Sequence, residues 1–87
     1  MTYKIKVFKQ AVKYYSKLDT KTQSKINSAM EAMMKNPAEG FHIKKLKGEF
    51  EGKYRYNVGG LRIIYFVDTK ERIVFVEAIG SRGDIYK

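Results

Sequence analysis

Alternation opens the chain. Residues 3–8 (YKIKVF) put Ile5 and Val7 on one face of an extended segment and Lys4 and Lys6 on the other, the two-residue period of a strand. The period then lengthens. Across 9–18 (KQAVKYYSKL), Ala11, Val12, Tyr15 and Leu18 recur at helical spacing, with Lys9, Lys13 and Lys17 on the wet side. A longer second helix follows. Asp19 or Thr20 serves as its N-cap, and Ile26, Ala29, Met30, Met33 and Met34 make one apolar stripe. Asn36-Pro37 ends it, because a residue before proline avoids the helical region. The tight turn between the two makes a helical hairpin. Its methionines are expected as core filler, since the thioether fits irregular gaps.

Residues 38–53 hold no sustained period. They are expected to form a loop, punctuated by Gly40, Gly48 and Gly52, with one short extended piece around Ile43–Leu46. Strand patterning returns at 54–58 (YRYNV) and 61–67 (LRIIYFV), joined by Gly59-Gly60 as a two-residue hairpin turn. Asp68–Glu71 makes the next turn, 72–79 (RIVFVEAI) the next strand, and the tail SRGDIYK offers a further short one. The order β-α-α-β-β-β predicts an α+β layer. It has an N-terminal strand and a helical hairpin that packs on one face of a small twisted antiparallel sheet, leaving the other face free.

The glycine turn also predicts which side chains share that free face. With two residues in the turn, Val58 faces Leu61, Asn57 faces Arg62, Tyr56 faces Ile63 and Arg55 faces Ile64. Tyr54, Tyr56, Val58, Leu61, Ile63, Tyr65 and Val67 then form the core face, and Arg55, Asn57, Arg62, Ile64 and Phe66 the open one. A two- or four-residue loop in the next hairpin pairs Val67 with Arg72. It sets Ile73, Phe75 and Glu77 beside Phe66, Ile64 and Arg62, whereas an odd loop reverses the parity. The open face then carries an Arg–Asn–Arg–Glu cluster at one end and an apolar patch at the other. That pattern fits an anion site beside a stacking or protein-docking surface. An ordinary exposed face with an Arg62–Glu77 cross-strand pair gives the same pattern.

Composition sharpens the choice. The 87 residues predict a single domain spanning 1–87. The formal charge is +9, from 18 Lys and Arg against 9 Asp and Glu. Such an excess on so small a body attracts polyanions. It is unevenly placed: residues 1–47 hold eleven Lys and no Arg, and residues 48–87 hold all four Arg, at 55, 62, 72 and 82. A diffuse lysine cloud in one half steers, and planar guanidinium forks in the other grip phosphate. No cysteine is present, which excludes a disulfide framework, a thiolate zinc site and a cysteine nucleophile. One His and no close carboxylate cluster make poor material for a metal site. No apolar run approaches a membrane span, and the N-terminus lacks the apolar core of a secretory signal. The expectation is a soluble cytoplasmic protein with no membrane partner.

The run LKGEFEGKYRYNVGGLRIIYFV, followed by VFVEAIGSRGDIY, resembles the RelE/ParE toxins of type II toxin–antitoxin systems. The likeness lies in the ordered set of a basic helical hairpin, an LKG…YR…V…RI(I/V)Y block and a G-x-R…Y ending. It implies a RelE-like fold and, by its matching positions, a ribosome-dependent, metal-independent endoribonuclease. The 2′-hydroxyl of messenger RNA would attack the adjacent phosphate, with no cofactor. The positions matching the family site are Arg55, Arg62 and Arg82, which would meet the phosphate, and Tyr86, for stacking or acid work. Asn57 stands where the family often has Lys and would orient the RNA, together with Lys47 and Lys53. Glu77 is a weak candidate base, provided it lies on the open face outside an ion pair. The likeness also implies a cognate acidic antitoxin as partner. A ParE-like, non-enzymatic inhibitor of DNA gyrase and a catalytically weakened RNA- or ribosome-binding relative remain alternatives. His42, beside Phe41 and in no matching motif, is expected to be exposed or capping. The RNA reading predicts that Arg55, Arg62 and Arg82 converge on one phosphodiester, and coordinates placing them on different sides of the molecule would contradict it.

Overall fold

The computed structural model describes residues 2–81. Its elements are β1 (Lys4–Val7), α1 (Lys9–Ser16), α2 (Thr20–Lys35), β2 (Ile43–Lys45), a 3₁₀ turn (Gly48–Phe50), β3 (Tyr54–Val58), β4 (Leu61–Asp68) and β5 (Ile73–Ser81). The further strand expected in the tail lies outside these residues.

Capping fixes the helices. The Asp19 carboxylate accepts a hydrogen bond from the Thr22 backbone N–H at 3.3 Å, satisfying one of the free donors at the start of α2. Thr22, through its side chain first and this backbone bond after it, holds the Asp19 carboxyl below its ordinary range. At the other end the Asn36 side chain accepts from the N–H groups of Ala38 and Glu39, so the chain leaves the helix in a defined direction into Pro37.

The strands form one five-stranded sheet in the order β1-β5-β4-β3-β2. It is mixed rather than purely antiparallel, because β1 runs parallel to β5. The helical hairpin carries the chain from β1 to the far edge. Three reversals from β2 to β5 then return it beside β1 in the same direction. The short extended piece expected near residue 43 is β2, which pairs with β3.

The core lies between the helices and one face of this sheet. Ala11 of α1 and Ile26, Ala29 and Met33 of α2 meet Ile63 and Tyr65 of β4 and Val74, Val76 and Ile79 of β5. Met33 is filler, as its spacing predicts. Tyr65 is wholly buried and stacks on Tyr54 with ring centroids 5.5 Å apart. Its hydroxyl donates to the Pro37 carbonyl at 2.7 Å. This bond ties the exit of α2 to the middle of the sheet.

The β4–β5 hairpin departs from the expected register. Asp68 pairs with Ile73, Val67 with Val74 and Phe66 with Phe75, two residues away from the expected Val67–Arg72 pairing. Arg72 closes the turn with φ at 57°, a left-handed conformation that removes it from the strand. Asp68 Oδ1 accepts from the Glu71 N–H at 2.9 Å and holds the turn. Further along, a bulge at Ile64/Tyr65 breaks the ladder: Tyr65 pairs with Val76 but Ile64 pairs with Ala78. Glu77 is the extra residue. Gly80, not Glu77, therefore lies opposite Arg62, and the expected Arg62–Glu77 pair does not form.

Replacing Tyr65 by Phe leaves a buried carbonyl without its donor, and should cost about 1–3 kcal/mol in urea denaturation. A loss below about 0.3 kcal/mol would contradict the role given to this bond. Burial also pushes the Tyr65 phenol well above its ordinary value of 10. Its contribution is therefore whole below pH 10 and falls as pH rises beyond, where the unfolded chain ionises this group and the folded chain does not. Stability measured against pH should show this alkaline fall in the parent and less of it in Tyr65→Phe.

Candidate functional site

The turn between β3 and β4 places the site. Gly59 takes φ of 59°, which a side chain would resist, and the strands close in the register Val58–Leu61, Asn57–Arg62, Tyr56–Ile63 and Arg55–Ile64. This is the pairing a two-residue turn predicts. Arg55 and Asn57 stand two apart on β3 and so share a face. Arg62 stands directly across from Asn57 and diagonally from Arg55, within reach of long side chains. Core residues alternate with them on the helix side of the sheet, so this cluster faces away from the helices.

Sequence reasoning missed a fourth member. Lys44 of β2 lies opposite Arg55, which adds a cation to the same face. A three-residue strand is too short to display a period, so only the pairing reveals it. Gly80 lies opposite Arg62 and presents no side chain beside the guanidinium.

Three polar atoms of this cluster lack partners among the described residues. The Nε atoms of Arg55 and Arg62 and the Oδ1 of Asn57 are shielded from water and find no hydrogen-bond partner among the described residues. Shielded groups of this kind are costly and uncommon in native proteins. Two guanidinium donors with an ammonium alongside suit a multi-oxygen anion, since charge-assisted bonds from a planar fork are strong and directional.

The remaining expected residues fall elsewhere. Lys53 and Glu77 form an ion pair, with Lys53 Nζ 2.7 Å from one carboxylate oxygen and 3.0 Å from the other. Glu77 thus fails the condition set for a base. The bulge presents its side chain to Lys53, while its carbonyl accepts from the Gln10 amide at 2.8 Å. Lys47 is exposed in the connection before the 3₁₀ turn. Arg72 lies away from the cluster, with its guanidinium 4.3 Å from the Tyr3 ring centroid. His42 is exposed, as expected. Arg82 and Tyr86 lie outside the described residues.

The expected apolar patch is partly covered by the chain itself. Ile64 is only 2% exposed and lines a cleft of about 320 Å³ with Phe50, Glu77 and Ala78. Phe66 stacks on Phe75 at 5.0 Å, and the edge of Phe8 closes over both, at 6.0 and 6.3 Å. Among the described residues no group of three or more His, Cys, Asp or Glu side chains is arranged to hold a metal ion. No helix among them is long and apolar enough to cross a membrane.

Comparison with known proteins gives consistent matches. A family model described as the ParE toxin of the type II toxin–antitoxin system parDE matches residues 5–86. The RelE1 toxin candidate of Methanocaldococcus jannaschii is 32% identical over 89 residues, covering 100% of this chain and 98% of that protein. A chain of the archaeal RelE–RelB complex from Pyrococcus horikoshii superposes with a TM-score of 0.80 at 30% identity, over 95% of this chain and 98% of that one. A chain of the intact Escherichia coli RelBE toxin–antitoxin complex shares the fold, with a TM-score of 0.79 at 22% identity, over 91% and 95% of the two chains.

The Lys53–Glu77 pair is about a quarter exposed on each side, at 30% and 27%, so its worth is modest. A double-mutant cycle on Lys53→Ala and Glu77→Ala should give a coupling of about 0.5–1 kcal/mol. A coupling of zero would mean that the pair does not fasten the connection before β3 to the bulge of β5.

Proposed function

Because the chain belongs to the RelE/ParE toxin superfamily of type II toxin–antitoxin systems, we propose that it is a ribosome-dependent endoribonuclease that cleaves messenger RNA without a metal. The observation that carries this reading is the set of shielded, unpartnered polar atoms of Arg55, Asn57 and Arg62 on the face away from the helices.

The 2′-hydroxyl of one nucleotide gives its proton to water as its oxygen bonds to the adjacent phosphorus, and the 5′-oxygen leaves as its bond to phosphorus breaks and takes up a proton. The products are a cyclic phosphate and a 5′-hydroxyl. Negative charge grows on the phosphoryl oxygens during this step, and Arg55 and Arg62 are fixed donors beside it. In this reading Arg82, the next residue in sequence after β5, also binds the phosphate, and Tyr86 stacks on a base or donates a proton to the leaving oxygen. Asn57 orients the RNA by hydrogen bonding, and Lys47 and Lys53, outside the cluster, add charge along its path. Glu77 is held by Lys53, so positioning and charge stabilisation supply most of the rate, with the ribosome holding the message in a reactive shape.

The partner follows from charge and kinship. Relatives of known structure are RelE–RelB complexes, and a chain of charge +9 suits an acidic antitoxin. Cytoplasmic action is part of the same reading. A ParE-like inhibitor of DNA gyrase is the second reading, favoured by the description of the matching family model.

Arg62→Ala and Arg82→Ala should each lower message cleavage by about 10²–10³-fold, read by primer extension from cells expressing the toxin, with the fold intact by circular dichroism. Full toxicity of both variants would overturn the RNA-cleavage reading. Intact messages with gyrase-dependent DNA damage would establish the second reading instead.

A further inference from the structure

A second feature lies where the arginine face meets the edge of the sheet. His42 continues the β2–β3 register, its carbonyl accepting from the Asn57 N–H at 2.9 Å. Its ring lies against Tyr56, with centroids 5.6 Å apart and planes tilted by 32°. Phe41 meets His42 edge-on at 5.1 Å and is itself 98% exposed. Three rings thus run in contact from solvent to a cleft of about 300 Å³ on the helix side of the sheet. Lys25 and Ser28 of α2 line that cleft with His42, Tyr56 and Val58.

A lone exposed ring is ordinary and signals nothing. Phe41 differs because it ends a continuous aromatic run into a cleft that also offers a cation and a hydroxyl. The residues lining the cleft include no carboxylate, and Ala29 and Val58 are its only aliphatic side chains. A protein anchor would call for a deeper apolar pocket. The aromatic and cationic lining suits a base carrying a phosphate. Asn57 lines this cleft as well as belonging to the arginine cluster, so the two are contiguous around the edge. Gly59 leaves that edge bare, with no atom within 4 Å of where a side chain would begin.

We infer that this cleft is a nucleobase site, taking a base of the single-stranded RNA next to the phosphate held by Arg55 and Arg62. The base stacks on His42 at the mouth of the cleft, with Phe41 standing at right angles beside it, and Lys25 meets a neighbouring phosphate. The inference rests on the RNA reading above and adds to it a place where the strand turns around the sheet edge. Stacking tolerates all four bases, so the site contributes affinity and register rather than sequence choice.

The test uses the whole toxin and short single-stranded RNA with 2′-O-methyl sugars, which removes the attacking hydroxyl. One 2-aminopurine is moved along the strand. Anisotropy reads affinity, and quenching of the 2-aminopurine reads stacking. Phe41→Ala and His42→Ala should each weaken binding about tenfold and relieve the quenching at one position, whereas Phe41→Tyr should retain both. Phe41 is too exposed for its truncation to disturb the fold. If both alanine variants bind and quench as the parent does while Arg62→Ala binds weakly, the base site is wrong and the phosphate reading stands. If Arg62→Ala also binds as the parent does, or if the parent does not bind, the phosphate reading falls with it. If Phe41→Ala spares RNA binding and weakens the antitoxin complex, the surface belongs to a protein and the inference is overturned.

Discussion

Two residues separate β3 from β4, and that number governs the far face of the sheet. Side chains alternate along a strand with a period of two, so a turn longer or shorter by one residue would exchange the two faces of one strand against the other. With Gly59 at φ of 59°, Ile63 and Tyr65 enter the core, and Arg62 stands across from Asn57 on the opposite side. The same alternation that buries the apolar set exposes the basic one. The polar cluster and the hydrophobic core are thus two results of a single register.

The core holds that register in place. Tyr65 is wholly buried, and its hydroxyl bond to Pro37 joins the exit of α2 to the central strand. The helical hairpin covers only one face, which leaves the other available for charge. Packing arginines and an asparagine there with shielded, unpartnered atoms works against stability. A small domain has little stability to spare, so the arrangement makes more physical sense with a ligand than without one. The bulge at Glu77 fits the same picture. Bulges re-aim side chains, and this one directs a carboxylate to Lys53 and away from Arg62, so the positive field of the cluster is not neutralised.

What was legible in the sequence was what local chemistry decides. The two helices followed from spacing and from Asp19 and Pro37. The faces of β3 and β4 followed from the count of residues in a glycine turn. Pairings decided at a distance were not legible. The parallel alignment of β1 with β5 depends on where the helical hairpin delivers the chain. The β4–β5 register moved by two because Arg72 adopts a left-handed conformation with no glycine to announce it. The bulge was hidden because IVFVEAI alternates without a break. Lys44 joined the cluster through a strand too short to show a pattern, and the contact of His42 with Tyr56 is made by a residue just outside that strand.

The proposed chemistry requires the guanidinium groups of Arg55 and Arg62 to find their partner in an RNA phosphate. Nitrogen-15 spectra of the arginine Nε–H groups, recorded while a short 2′-O-methyl RNA is added, test this most directly. The Arg55 and Arg62 signals should shift together and slow their exchange with water as the phosphate binds. Shifts confined to the lysine-rich helices, with both arginine signals unmoved at saturation, would contradict it.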